Sequence, residues 1–274
     1  MSREIILQAR DLCYAYDEAR RALNGVSMDI AQGEKIAVMG SNGAGKSTFF
    51  LHLNGVLRPD SGEILCRGEP VTDRAVQDLR RRVSIVFQNA DDQIIASTVR
   101  QEVAFGPMNL KLSRAEVIAR TEEALAYMNL SDYQDRAPHY LSGGEKKRVS
   151  IADMIAMQPE VIIFDEPTAS LDPLNAALLE EVLDRLSAEG KTILLSTHDV
   201  DFAYRWAERL VVFHDGQIIA DGDPLDVFKD SGVIQRASLR RPMLLDIYEA
   251  LSARGHTGGA VYPRSVQALV EGYA

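Results

Sequence analysis

Apolar and polar positions along this chain follow two different rhythms. Residues 36–39, 83–87, 161–164, 192–196 and 210–214 are almost continuously apolar and rich in β-branched side chains. That is the pattern of strands covered on both faces. The opening third differs: residues 12–16, 26–30 and 63–66 are short or alternating runs, broken by turn residues such as Arg58-Pro59-Asp60-Ser61-Gly62. Between 113 and 129 the apolar residues Val117, Ala124, Leu125 and Met128 fall near a 3.6-residue period, and Ser113 with Glu116 reads as a capping box. A second helix is predicted after Gly143-Gly144, with Val149, Ala152, Ile155 and Ala156 on one stripe and Pro159 beyond its end. These elements predict an α/β fold: a parallel core sheet, a small antiparallel β layer beside it, and a mostly helical insert at about 90–158. Residues 233–274 read as a separate helical tail with a break at Gly255-His256-Thr257-Gly258-Gly259. No function is legible in that tail.

Composition narrows the class. The 274 residues are 46% hydrophobic and 26% charged, as in a water-soluble globular domain. Forty acidic against thirty basic residues give a net charge of −10, which argues against a nucleic-acid partner held by blanketing phosphates. Arg80-Arg81-Arg82 is read as a solvated edge before a strand. Two cysteines, Cys13 and Cys66, make no disulfide framework, and His52, His139, His214 and His256 show no metal-ligand spacing. The start of the chain lacks the apolar stretch of a signal peptide, and no apolar run approaches 18 residues. A membrane role is therefore expected only through a partner.

The chemistry is concentrated in three places. Gly40-Ser41-Asn42-Gly43-Ala44-Gly45-Lys46-Ser47 matches G-x-x-x-x-G-K-[ST] between a predicted strand and a predicted helix. Its glycines let backbone N–H groups close around phosphates; Lys46 is expected to bridge the β- and γ-phosphates and Ser47 to offer a hydroxyl to Mg²⁺. Residues 161–164 deliver Asp165 and Glu166 to a strand end. Beside a phosphate loop, Asp165 suits a Mg²⁺-associated carboxylate and Glu166 the orientation or deprotonation of a water. Leu141-Ser142-Gly143-Gly144-Glu145 opens the second helix with unpaired N–H groups, a further anion-ready helix start.

Together these residues resemble the nucleotide-binding subunit of an ATP-binding-cassette (ABC) transporter, over about residues 3–230. That family's signature ends in Gln where this chain has Glu145. The resemblance implies a P-loop NTPase fold with a RecA-like parallel sheet, the nucleotide-binding domain at 1–232, and ATP with Mg²⁺ as ligands. It implies an ATP-binding set of Tyr16, Gly40, Ser41, Asn42, Gly43, Ala44, Gly45, Lys46, Ser47, Thr48, Ser142, Gly143, Gly144 and Asp172. Tyr16 matches the aromatic on which adenine stacks, with Tyr14 as a competitor. Glu166, His198 and Gln88 carry over as catalytic residues, and Ser47, Gln88 and Asp165 as the metal set. In Ala169-Ser170-Leu171-Asp172, which departs from the commoner Ser-Ala-Leu-Asp, only Asp172 transfers to the interface loop.

The family also implies a second ATPase chain, identical or paralogous, because each ATP lies between one phosphate loop and the opposite Leu-Ser-Gly-Gly segment. Gln88-Asn89-Ala90-Asp91-Asp92-Gln93 and the following Ala104-Phe105-Gly106-Pro107 look like the energy-coupling-factor ATPases of micronutrient importers, especially the cobalt and nickel group, although Ala90 replaces their Pro. The resemblance places the segment from Gln88 to Pro107 against integral membrane subunits, and the chain at the cytoplasmic face of the membrane. Cobalt is the expected cargo, with nickel or a vitamin as alternatives and a soluble non-transport ABC ATPase as the rival reading.

Overall fold

The computed structural model describes residues 3–17, 21–169, 171–256 and 261–272. Among these, ten strands form two sheets. The first is antiparallel in the order β2-β1-β4-β5, from β1 (Ile5–Ala15), β2 (Arg21–Ala31), β4 (Ser61–Cys66) and β5 (Glu69–Pro70). The second runs β10-β9-β3-β8-β7-β6. In it β3 (Lys35–Met39), β6 (Val83–Val86), β7 (Val161–Phe164), β8 (Thr192–Ser196) and β9 (Arg209–His214) are parallel. Antiparallel β10 (Gln217–Gly222) closes that edge. The continuous apolar runs are explained at once, since every residue of β6, β7 and β8 is buried.

Helix α1 (Lys46–Leu53) follows β3 and lies between the sheets, where Phe49, Phe50 and Leu53 are inaccessible. After α2 (Val76–Arg82), every element from Ala90 to Ala156 is helical, chiefly α3 (Val99–Asn109), α4 (Arg114–Tyr127) and α5 (Gly143–Ala156), which pack on one another. Then come α6 (Pro173–Ala188), α7 (Val200–Trp206), α8 (Pro224–Lys229), α9 (Ser231–Arg236), α10 (Met243–Ser252) and α11 (Val266–Glu271). Beyond residue 232 the chain stays attached to the core. Val233, Ala237 and Leu245 are buried in it, and Arg264 donates to the Tyr204 and Ala207 carbonyls and to Asp223. Thr257 to Gly259 of the expected break lie outside the described residues. No described helix is long and apolar enough to cross a membrane.

Three local expectations shift. Strands β1 and β2 extend well past the short runs predicted, because pairing with neighbours carries polar residues that periodicity would stop at. Helix α3 was not anticipated across Gly106-Pro107; Thr98 starts it by accepting from Gln101 N, and Pro107 is tolerated two residues before its end. At α4 only half of the capping box forms. Ser113 accepts from Glu116 N, but the Glu116 carboxylate turns to Arg120 at 2.7 Å.

Candidate active site

The phosphate loop joins β3 to α1 in a backbone shape only glycine permits. Gly40 has φ 144°, and a Cβ there would sit 2.3 Å from the Phe213 carbonyl oxygen. Gly45 has φ 109°, with a hypothetical Cβ 2.6 Å from the Ala22 oxygen. Gly45 also caps α1 without a side-chain bond, so first-turn N–H groups remain for an anion. Lys46 is 5% exposed and donates to the Gly40 and Ser41 carbonyls at 2.8 and 3.2 Å. Burial lowers its pKa, opposed by the nearby Glu166 and Asp165.

Facing the loop are residues from the ends of three adjacent strands. Gln88 follows β6, Asp165 and Glu166 follow β7, and His198 follows β8. The strand order sets these ends side by side, so residues far apart in sequence converge. Gln88 Nε2 donates to Glu166 Oε2 at 2.9 Å, His198 Nε2 lies 2.9 Å from Glu166 Oε1, and Lys46 Nζ is 3.9 Å from that same oxygen. Glu166 has φ 44°, strained for a side chain with a Cβ, and that backbone state separates its carboxylate from that of Asp165. Ser196, the last residue of β8, fixes both acids: its hydroxyl donates to Asp165 Oδ1 at 2.6 Å and accepts from Glu166 N at 2.8 Å.

Tyr16, Asn42 to Thr48, Gln88 and Glu166 line one cleft of about 440 Å³. Tyr16 is 62% exposed, its hydroxyl 3.3 Å from Thr48 Oγ1, whereas Tyr14 packs edge-on between Tyr16 and buried His52. Of the two competing aromatics, the one presented to the cleft is Tyr16. The Ser47 hydroxyl, the Gln88 amide and the Asp165 carboxylate are hard oxygen donors, the chemistry Mg²⁺ takes when it keeps waters and phosphate oxygens for the rest of its shell. Ser47 opens the same first turn as Lys46, and no cluster of three His, Cys, Asp or Glu exists among the described residues to favour a softer ion.

Ser142, Gly143, Gly144 and Asp172 are not in that cleft. They form a second assembly at the start of α5. A complete capping box closes there: Ser142 Oγ accepts from Glu145 N at 3.3 Å, and Glu145 Oε2 accepts from Ser142 N at 2.7 Å. The glutamate at this position thus has a local structural reason, and the Ser142 bond holds its carboxyl below the ordinary range. Asn175 links the assembly to Asp172, donating from Nδ2 to Oδ2 at 2.6 Å, and these bonds lower the Asp172 pKa. Ser170 lies outside the described residues.

Three supporting residues escaped the sequence reading. Ser196 left a trace, a polar residue ending an apolar strand. Asn175 and Lys147 left none. Asn175 looks like any polar helix residue, and Lys147 looks like a solvated charge although it is 4% exposed.

Residues 23–169 match the ABC transporter family. The energy-coupling factor transporter ATP-binding protein EcfA of Methanothermobacter thermautotrophicus is 49% identical over 253 residues, covering 91% of this chain and 81% of that protein. The structure of cbiO1 from Clostridium perfringens, part of the ABC transporter complex cbiONQ, superposes with a TM-score of 0.75 at 38% identity, over 90% of this chain and 99% of that one. An ATP-binding cassette solved as a dimer in a post-hydrolysis state with ADP and Pi gives a TM-score of 0.72 at 28% identity, over 80% of this chain and 99% of the other.

Proposed function

The chain belongs to the ABC transporter family and is an ATP hydrolase with the P-loop NTPase fold; from that premise we propose that it is the ATPase subunit of an energy-coupling-factor importer. It works as a pair of cassettes, identical or paralogous, held at the cytoplasmic face of the membrane by integral membrane subunits that contact the segment from Gln88 to Pro107. The observation that carries this reading is the division of the site. One cleft gathers the phosphate loop with Gln88 and Glu166, the latter met by His198 at 2.9 Å, while Ser142 to Gly144 lie outside that cleft at the start of α5.

In this reading ATP stacks its base on Tyr16 and lays its phosphates along Gly40 to Thr48, with Lys46 leaving its carbonyl partners for the β- and γ-oxygens. Ser142, Gly143 and Gly144 of the second cassette complete the γ-phosphate's donors, and Asp172 lines the interface. Ser47, Gln88 and Asp165 hold Mg²⁺, which when bound neutralises phosphate charge. Glu166 accepts the proton of the attacking water, oriented by Gln88, and His198 holds the Glu166 carboxylate and reaches the γ-phosphate. Loss of the γ-phosphate removes the donors' shared anion and loosens the pair.

The cargo proposed is cobalt, supported by the stretch Gln88 to Gln93 and its likeness to the cobalt and nickel group. The test is co-purification with membrane subunits, followed by MgATP hydrolysis across a protein-concentration series and uptake by proteoliposomes. Specific activity rising with concentration supports a homodimer, and a rate that appears only with a second cassette supports a paralogous pair. Uptake of nickel or a vitamin in place of cobalt overturns the cargo assignment. Hydrolysis at full specific activity by the monomer overturns the two-cassette mechanism.

A further inference from the structure

Helix α5 bears on both halves of the site. Its first turn carries Ser142 to Gly144. Its flank grips the segment that leaves β6 and carries Gln88. Lys147 is 4% exposed and donates from Nζ to the Phe87 and Gln88 carbonyls at 2.8 and 2.6 Å. Lys146 pairs with Asp91 at 2.6 Å, and Gln93 Nε2 donates to the Ser150 carbonyl at 3.0 Å. The loop is therefore tied to α5 at three levels. The Lys147 tie lies nearest the chemistry, because the peptide it holds is that of Gln88, whose side chain meets Glu166 at 2.9 Å.

A buried ammonium is costly unless its protons are bonded. Lys147 spends two of them on main-chain carbonyls, and the negative charge acting on it is Asp165 of the site itself. Burial brings its pKa down to about 8, which leaves it mostly charged at neutral pH. An apolar residue would fill the same space without the desolvation, so packing alone does not account for a lysine here.

We propose that Lys147 is a positioning residue: it sets Gln88 against Glu166 and makes Gln88 move with Ser142 to Gly144, coupling the segment that meets the second cassette's nucleotide to the alignment of this cassette's own carboxylate. The inference rests on the roles proposed above for Gln88 and Ser142.

The test is a double-mutant cycle with Lys147→Met, Lys147→Gln, Gln88→Ala and Lys147→Met/Gln88→Ala, read as kcat and KM for MgATP in the complex that co-purifies with the chain. Lys147→Met is expected to lower kcat at least about tenfold, the scale of lost bonds to a charged donor, with KM within about twofold. Lys147→Gln, whose amide still donates to a carbonyl, recovers most of the loss. In the Gln88→Ala background, Lys147→Met adds nothing. Unchanged kcat in Lys147→Met, or losses that multiply in the double variant, overturn the proposal. Should melting show that Lys147→Met does not fold, Lys147→Leu, which likewise lacks the donor, takes its place in the cycle under the same criterion. Full activity in Gln88→Ala overturns the role of Gln88 and the coupling with it; impaired Gln88→Ala with additive losses overturns the coupling alone.

Discussion

The Glu166 carboxylate and the His198 imidazole meet at 2.9 Å across the ends of two neighbouring parallel strands. Lys46 Nζ stands 3.9 Å from the same carboxylate oxygen, and Gln88 donates to the other one. Replacing Glu166 by Gln keeps size and hydrogen bonding but removes the proton acceptor. Hydrolysis should fall by roughly 10²–10⁴-fold while MgATP still binds, leaving an ATP-bound dimer on gel filtration. Normal turnover by this variant would remove Glu166 as the base.

Gly45 tests the loop's backbone. Its φ of 109° and the 2.6 Å approach of the Ala22 oxygen leave no room for a methyl group. Gly45→Ala is expected to abolish measurable ATP binding in calorimetry and to lower the melting temperature. Gly43, with φ 74° but open space around it, should lose less when changed to Ala.

Tyr16 and Tyr14 divide the aromatic role. A lost base stack is worth about 1–3 kcal/mol, so Tyr16→Ala should raise the Kd for ATP by roughly tenfold or more. Tyr14→Phe should leave it nearly unchanged. Equal effects at both positions would count against Tyr16 as the stacking ring.

Asp153 on α5 is buried beside Glu102 of α3, and burial with that neighbouring charge pushes its carboxyl up to about 7. A carboxyl raised above its unfolded value of 3.8 favours the folded state fully below about pH 4, and the benefit is lost as pH rises through 7. Asp153→Asn, which does not ionise, should therefore match the parent near pH 4 and melt higher at pH 8. Each kcal/mol regained corresponds to about 2–4 °C. A melting difference that is the same at both pH values would refute the ionisation argument.

Gly144 is pressed against Asn175, whose side-chain atoms lie 2.5–2.6 Å from where a Cβ would be. Since φ at Gly144 is not left-handed, the obstacle is that amide alone. Gly144→Ala should lower the melting temperature and free Asp172 from its 2.6 Å bond to Asn175. The double variant Gly144→Ala/Asn175→Ala should recover most of the melting temperature, because the clash is then gone. Failure to recover would place the strain elsewhere.

What the chain's local order determined by itself is the class of protein and the choice of most residues proposed for the site. A phosphate loop needs glycines at set spacings and a lysine after them, a two-faced strand needs a continuous apolar run, and a helix start needs its cap. Each of these is written within a few residues. The tertiary structure decided which of them meet. Gln88, Glu166 and His198 come together because β6, β7 and β8 are neighbours in the sheet, an order set by packing across the whole core rather than by any local signal. Lys147 and Asn175 look like ordinary surface residues in the sequence because burial is a property of what folds over them. Likewise, only the fold shows that Ser142 to Gly144 do not line their own chain's phosphate-loop cleft: the helical segment from Ala90 to Ala156 sets Gly143 beside the Gln88 loop instead.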